Sequence, residues 1–176
     1  YFFDSSHAFF NLGRKTMFKI FKKEKPEIKT LLAPVDGQVI DLSEVDDPVF
    51  SQKMMGDGVA IIPESNVIKA PADGTIVLIP ETKHAFGMKL ADGLELLVHV
   101  GLDTVKLGGE GFSALVDINQ EVKAGTPILQ VDTDFVKSKG ISLTTPMIVM
   151  NHADYELISY TSGKKAKSGD VLVEYQ

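Results

Sequence analysis

The sequence predicts an all-β fold: an antiparallel β-sandwich with internally repeated turn-strand elements and very little helix. Three observations support this. From Leu31 onward, short apolar runs alternate with turn signals at short intervals. No segment of this region keeps a long apolar period of 3.6 residues, as an amphipathic helix would. Finally, two short turn motifs each occur twice, which is typical of sandwiches and barrels built from repeated elements.

The predicted strands are apolar runs bounded by residues that favour turns. These runs are residues 39–40, 59–62, 75–79 and 94–100. The turn signals between them are Pro34 with Asp36-Gly37, Asp57-Gly58, Asp73-Gly74, Asp92-Gly93, Gly108-Gly109 and Ser168-Gly169. Residues 134–140 allow about one helical turn.

The repeated motifs indicate a duplicated β architecture. Ala33-Pro34-Val35-Asp36-Gly37 recurs as Ala70-Pro71-Ala72-Asp73-Gly74, and Val122-Lys123-Ala124-Gly125 recurs more loosely as Ala166-Lys167-Ser168-Gly169. Each copy puts a tight turn before a β run. We therefore interpret these motifs as structural.

The chain divides into a tail of residues 1–30 and a domain of residues 31–176. The tail is predicted to be a linker or an amphipathic segment, because Phe18 and Phe21 fall at helical spacing among lysines within residues 17–23. This pattern suits peripheral contact with the inner face of a membrane, and a solubilising tail is the alternative. The remaining residues are enough for one domain with its own core.

Composition excludes several classes of function. The net charge is −6, with +4 on residues 1–30 and −10 on the rest, and an acidic body argues against nucleic-acid binding. The same charge suits a basic protein partner. Cysteine is absent, which excludes disulfides, a thiol nucleophile and thiolate metal sites. No apolar run approaches the length of a membrane span, and we expect a cytoplasmic location.

Two of the four histidines, His84 and His99, are predicted to meet across a hairpin. The residues between them predict two strands joined by a turn at Asp92-Gly93. With a two-residue turn, His99 faces Phe86, and the two histidines become diagonal neighbours about 7–8 Å apart at the backbone. A register change of one residue would place them on opposite faces of the sheet.

Such a pair suits phosphoryl transfer. A neutral imidazole nitrogen attacks phosphorus directly, and a second imidazole can donate a hydrogen bond to the phosphoryl oxygens. A partner on the other ring nitrogen determines which nitrogen is free, and Thr82 and the carbonyl of Gly101 are placed to do this for His84 and His99. From the residues alone, two ordinary polar strand positions remain an equal alternative.

The histidine motifs resemble those of the glucose-type enzyme IIA of the bacterial phosphotransferase system. The resemblance covers about residues 31–175 and rests on Glu81-Thr82-Lys83-His84-Ala85-Phe86-Gly87, Leu97-Val98-His99-Val100-Gly101-Leu102-Asp103-Thr104-Val105, Gly109-Glu110-Gly111-Phe112, Ala33-Pro34, Val49-Phe50, Gly56-Asp57-Gly58, Ala70-Pro71 and Thr145-Pro146. It implies a β-sandwich phosphotransferase with both histidines in a shallow depression. It also implies a phosphohistidine intermediate and no required cofactor.

The resemblance also implies roles for individual residues. His99 matches the histidine that accepts phosphate from the phosphocarrier HPr, and His84 matches the one needed to pass it to the IIB domain during sugar uptake. Thr82 matches the threonine bonded to this second imidazole. Asp47 and Asp103 match acids that help to receive basic partners. The residues that match the apolar contact surface are Val49, Phe50, Met54, Met55 and Val105.

Two other protein classes share parts of the pattern. A biotinyl or lipoyl carrier also has such motif repeats, but Lys89 lies three residues before the predicted hairpin tip. A zinc hydrolase of related β architecture needs three protein ligands. His84 and His99 would bind zinc only where a partner supplies a third ligand, as in regulatory complexes that some family members form with metabolic enzymes or transporters.

Overall fold

The computed structural model describes residues 25–176 and confirms the all-β prediction. Its α-helices are the short α1 (Pro48–Ser51) and α2 (Thr133–Ser138), and single 3₁₀ turns cover Leu42–Glu44, Thr104–Leu107 and His152–Asp154. Its strands are β1 (Lys29–Leu32), β2 (Gly37–Asp41), β3 (Asp57–Pro63), β4 (Val67–Lys69), β5 (Gly74–Leu78), β6 (Ala85–Lys89), β7 (Glu95–His99), β8 (Phe112–Ala114), β9 (Glu121–Val122), β10 (Pro127–Val131), β11 (Thr145–Val149), β12 (Leu157–Tyr160), β13 (Lys165–Ala166) and β14 (Val171–Tyr175).

The strands form three antiparallel sheets around one main core. The large sheet has eight strands in the order β13-β2-β3-β11-β7-β6-β5-β9, and the two small sheets have the orders β1-β14-β12 and β4-β10-β8. Buried side chains from all three sheets meet in the main core, among them Val98 of the large sheet, Val173 of β14 and Leu129 of β10. No helix within residues 25–176 is long and apolar enough to cross a membrane.

The large sheet is apolar on both faces around β3 and β11. Because side chains alternate along a strand, Met147 and Val149 enter the main core while Ile148 points to the other face. There it joins a second cluster with Phe50 and Leu102, completed by Leu42, Val45 and Ala60. This second face of the sheet is the one that carries His99.

The repeated motifs contact each other in a repeated way. Asp36 accepts a hydrogen bond from the backbone N–H of Ser168 at 2.7 Å, and Asp73 accepts one from Ala124 at 2.9 Å. These bonds hold the pKa of each carboxyl below its usual range. The motif containing Gly37 is therefore clamped to the motif before β14, and the one containing Gly74 to its copy before β10. The interpretation of these motifs as structural agrees with these contacts.

The predicted register of the β6–β7 hairpin was wrong by one residue. His99 pairs with Ala85, not Phe86, and Phe86 pairs with Val98. The turn has three residues rather than two, because Leu90 donates its N–H to the carbonyl of Leu94 at 2.9 Å. Gly93 ends this turn at φ 93°, in the left-handed region typical of three-residue hairpin loops.

The hairpin tip is tied to both ends of the described chain through Asp92. Its carboxylate binds Lys29 at 2.9 Å and the hydroxyl of Tyr175 at 3.0 Å, and it accepts the N–H of Leu94 at 3.2 Å. The hydroxyl of Tyr155 donates to the backbone carbonyl of Asp92 at 2.9 Å. One aspartate thus joins β1, β14 and the hairpin that carries His99.

We expect Asp92→Ala to lower the free energy of unfolding by about 2 kcal/mol, because the hydroxyl of the buried Tyr175 loses its acceptor and the turn loses its internal bond. Asp73→Ala is the matched control, since Asp73 also precedes a turn glycine and binds a lysine at 2.9 Å but is far more exposed. Urea denaturation should show the smaller loss for Asp73→Ala. Equal losses would contradict the central role of the hairpin tip.

Candidate functional site

His84 lies just before β6, at the end of a tight turn. The N–H of Lys83 donates to the carbonyl of Pro80 at 2.9 Å, and Lys83 itself has φ 50°. This turn brings the hydroxyl of Thr82 to 2.6 Å from Nδ1 of His84. The side chain of His84 is 8% exposed. Because His84 precedes the regular strand, its side chain does not follow the strand alternation.

His99 is the last residue of β7, and the chain turns sharply after it. Gly101 follows at φ 79°, and its carbonyl oxygen lies 2.8 Å from Nδ1 of His99. A carbonyl can only accept, so Nδ1 of His99 carries the proton and donates. In the neutral ring, the lone pair then lies on Nε2.

The structure brings the two imidazoles together although the register of the hairpin differs by one residue from the predicted one. Their ring centroids are 4.8 Å apart at an interplanar angle of 75°. The backbone carbonyl of His84 accepts the N–H of Val100 at 2.7 Å, so the hairpin pairing extends one residue past β6. Strict alternation would place the rings on opposite faces, and the left-handed turn at Lys83 is what changes the path of the chain before His84.

Burial keeps both histidines neutral. It lowers the pKa of His84, and the neighbouring charge of His99 lowers it further. Burial likewise lowers the pKa of His99, although the Gly101 carbonyl and the charges of Asp47 and Asp103 oppose this shift. Both rings are therefore mostly unprotonated at neutral pH, as a nitrogen nucleophile requires.

The short helix α1 was missed from the sequence, although its start signal was present. Asp47 caps it by accepting the N–H of Val49 at 2.9 Å, and Pro48 occupies the first turn. The helix places the ring of Phe50 5.2 Å from that of His99. Phe50 is only 4% exposed, so most of its ring packs within the protein beside His99. The partner contact that the resemblance implies for Phe50 stays a prediction.

The other residues implied for partner contact are two acids near His99 and four exposed apolar side chains. Asp47 and Asp103 lie close enough to influence the pKa of His99. Val49, Met54, Met55 and Val105 are exposed apolar side chains, between 39% and 69% accessible. Val49 lies in α1 with Phe50, Met54 and Met55 follow this helix, and Val105 lies four residues after Gly101. That these side chains form one surface with the histidines stays a prediction.

Residues 25–176 contain no group of three or more His, Cys, Asp or Glu side chains arranged to hold a metal ion. His84 and His99 by themselves offer two nitrogens, since both Nδ1 atoms already have hydrogen-bond partners. A zinc ion at this site would require a third ligand from another molecule.

Comparison with protein families gives one match that covers most of the chain. Residues 29–155 match the family model of the phosphoenolpyruvate-dependent sugar phosphotransferase system, EIIA 1. The structure is similar to the glucose permease IIA from Mycoplasma capricolum, with a TM-score of 0.81 and 43% identity over 85% of this chain and 96% of that one.

Of three similar curated proteins, one is about as long as this chain and two are much longer. The PTS system glucose-specific EIIA component of Buchnera aphidicola subsp. Acyrthosiphon pisum is 44% identical over 87% of this chain and 93% of its own length. The mannose-specific EIIBCA component of Corynebacterium glutamicum is 43% identical over 84% of this chain, and the glucose-specific EIICBA component of Staphylococcus carnosus is 50% identical over 68%. The chain spans only 22% and 18% of these two longer proteins.

The depressed pKa values of His84 and His99 predict how stability depends on pH. The unfolded chain binds more protons than the folded protein once the pH falls below the ordinary histidine value of 6.5. The contribution of the two neutral rings to the free energy of unfolding is therefore complete above pH 6.5. It is lost as the pH falls through the pKa values of the folded protein. Urea denaturation at about pH 7.5 and about pH 5.5 measures the change in the free energy of unfolding between the two pH values. This free energy should fall more for the wild type than for the double variant His84→Gln/His99→Gln.

The NMR titration of the two imidazoles checks the same point directly. Their resonances should titrate below those of the urea-unfolded chain, which serves as the internal control. Folded rings that titrate at or above pH 6.5 would show that burial does not keep them neutral.

Proposed function

The chain belongs to the EIIA 1 family of the phosphoenolpyruvate-dependent sugar phosphotransferase system, and from this premise we propose that Nε2 of His99 carries the phosphoryl group between a donor protein and a IIB domain. The observation that supports this assignment is the paired geometry of the site. The ring centroids of the buried His84 and the partly buried His99 lie 4.8 Å apart, and Nδ1 of each ring already has a hydrogen-bond partner. Both Nε2 atoms are therefore left for chemistry.

Phosphoryl transfer at His99 needs no other covalent group from the protein. The lone pair on Nε2 forms the new bond to phosphorus while the bond between phosphorus and the donor breaks. The bond electrons leave with the donor. In the onward step a nucleophile of the acceptor attacks phosphorus, and the electrons of the P–N bond return to Nε2. The Gly101 carbonyl holds the proton on Nδ1 in both steps and stabilises positive charge on the ring.

His84 supports the phosphoryl group as a hydrogen-bond donor. When the hydroxyl of Thr82 donates to Nδ1 of His84, the neutral ring carries its proton on Nε2. That N–H stands beside His99 and can donate to a phosphoryl oxygen as charge spreads over the three oxygens. The two histidines thus have opposite tautomers, one a nucleophile and the other a donor.

The border of the site suits docking of a basic protein surface. Asp47 and Asp103 supply negative charge near His99, and Val49, Met54, Met55 and Val105 supply exposed apolar area. We assign HPr as donor and a IIB domain as acceptor, both binding this face. Two relatives bear names that join components B, C and A in one protein, which supports the IIB partner.

Location and cofactors follow from the same proposal. Transfer from a phosphoenolpyruvate-dependent carrier places the domain in the cytoplasm, and a reaction between two imidazoles and phosphorus requires no metal or organic cofactor. Binding of zinc by His84 and His99 in a partner complex stays a prediction, and so does binding of regulatory partner proteins. The membrane contact assigned to residues 17–23 lies outside the described residues and also stays a prediction.

The two histidines should give different defects when replaced. We expect His99→Gln to lose phosphoryl acceptance completely, because glutamine has no nucleophilic nitrogen. His84→Gln should still accept phosphate but pass it on about tenfold more slowly, since the amide donates a hydrogen bond with poorer alignment. His152→Gln, outside the site, is the control. Labelled phosphate is followed from phosphoenolpyruvate, enzyme I and HPr to the protein and then to a IIB domain.

Two results would contradict these assignments. Label retained by His99→Gln would remove His99 as the acceptor. Equal onward transfer by His84→Gln and the wild type would remove His84 from the reaction.

The docking face should show two kinds of energetic contribution. Asp103→Lys should slow transfer from HPr most at low salt, because exposed charges raise the association rate and are screened over about 8 Å at physiological ionic strength. Val105→Ala should weaken the complex to a similar degree at all salt concentrations, because its contribution is apolar contact. Asp154→Lys is the charge control, since Asp154 is exposed next to Tyr155 at the hairpin-tip end of the molecule.

Initial transfer rates at limiting HPr over a series of salt concentrations give the measurement. Asp154→Lys should follow the wild type throughout. An Asp103→Lys rate that matches Asp154→Lys at every salt concentration would show that HPr docks elsewhere.

A further inference from the structure

The chain between His99 and Val105 has a conformation that needs external support. Gly101 and Asp103 both have positive φ, 79° and 61°, with Leu102 between them. A non-glycine residue in the left-handed region carries a steric cost. The direction of the Gly101 carbonyl depends on this conformation, and this carbonyl is the acceptor for Nδ1 of His99 at 2.8 Å.

Thr104 contacts this turn with both branches of its side chain. Its hydroxyl donates to the carbonyl of Val100 at 2.7 Å. Its methyl carbon lies 2.4 Å from the position that a Cβ on Gly101 would occupy, so the methyl group fills the space over the Gly101 α-carbon. The side chain of Thr104 is completely buried. Serine would lack the methyl contact, and valine would lack the hydrogen bond.

Val100, whose carbonyl Thr104 binds, is also joined to the second histidine. Val100 donates its N–H to the carbonyl of His84 at 2.7 Å and accepts the Thr104 hydroxyl through its own carbonyl. On the far side of the turn, Leu102 donates its N–H to the carbonyl of Ser142 at 2.9 Å. The peptide units on both sides of Gly101 are therefore fixed, and the Gly101 carbonyl has little freedom to turn away from His99.

We propose that Thr104 is a positioning residue for the phosphoryl-transfer reaction: it holds the Gly101 carbonyl against Nδ1 of His99 and so keeps the lone pair of the ring on Nε2. The inference deepens the proposed function, because it explains how Nε2 of His99 is kept as the nucleophile. It predicts that loss of the Thr104 hydroxyl lets the Gly101 carbonyl move and lets the proton of His99 redistribute between the two nitrogens.

The test measures the tautomer of His99 in the unphosphorylated full chain. Long-range proton–nitrogen NMR correlations distinguish a protonated Nδ1 from a protonated Nε2. The wild type should show Nδ1–H at His99. Thr104→Val, which keeps the shape and loses the hydroxyl, should show a mixture of tautomers and accept phosphate from HPr about tenfold more slowly. Thr104→Ser should restore the Nδ1–H tautomer and most of the rate.

Thr145→Val is the matched control. Thr145 is also completely buried, and its hydroxyl also donates to a backbone carbonyl, that of Leu143 at 2.8 Å. It lies on the main-core side of β11, in alternation with Met147, and the site histidines lie on the other face. Thr145→Val should lose stability to a similar degree but keep the His99 tautomer and the transfer rate. If Thr104→Val does not fold, Thr104→Ala, which adds no bulk, takes its place.

The outcomes separate the positioning role from a purely structural one. Folded Thr104→Val or Thr104→Ala with a wild-type His99 tautomer would overturn the proposal, whether or not the rate falls. A wild-type ring with Nε2–H would overturn it as well. If the tautomers of the wild type and the Thr104 variants are as expected but His99 carries no phosphate, the proposed function is refuted. In that case only the effect of Thr104 on the His99 tautomer remains.

Discussion

A neutral imidazole can act as a nucleophile only through the nitrogen that lacks a proton, so a histidine phosphocarrier must control its tautomer. In this protein the hydrogen bond between Nδ1 of His99 and the carbonyl of Gly101 has that task. Every other feature of the site depends on it. The use of Nε2 as nucleophile, the approach of His84 and the proposed docking face have chemical meaning only when the proton stays on Nδ1. Glycine at position 101 allows the left-handed backbone that this bond uses, and the steric cost of the turn falls on the non-glycine Asp103 at φ 61°.

The sheet explains how such a bond can be maintained at a surface. Around β3 and β11 the large sheet is apolar on both faces, and the second cluster of Leu42, Val45, Phe50, Ala60, Leu102 and Ile148 covers the face that carries His99. Phe50 and Leu102 of this cluster lie on either side of the site in sequence. Packing therefore buries the imidazole enough to lower its pKa while its edge stays accessible. Burial in a fully enclosed core would exclude the partner protein.

The repeated motifs give the frame its rigidity. In both copies an aspartate before a strand glycine accepts a backbone N–H from a Lys-x-Gly turn far away in sequence. At the tip of the β6–β7 hairpin, Asp92 joins the turn to Lys29 and Tyr175. The tip is thus held by contacts with other parts of the chain. A site that depends on a one-residue register benefits from such constraints, because a slip would separate the two histidines.

The amino-acid sequence was enough to predict the all-β class, the repeated turns, the pairing of His84 with His99 in one hairpin, and the identity of their partners Thr82 and Gly101. These are local properties: turn residues, strand alternation and short motifs are readable without distant contacts. The tertiary structure alone decided the register, since a three-residue loop and a two-residue loop around Asp92-Gly93 have the same local signal. It also decided that the imidazoles still meet, because the left-handed turn at Lys83 breaks the alternation on which the prediction relied. Phe50 and Thr104 likewise gained their positions from packing against distant residues, and no local pattern distinguishes a buried support from an exposed contact.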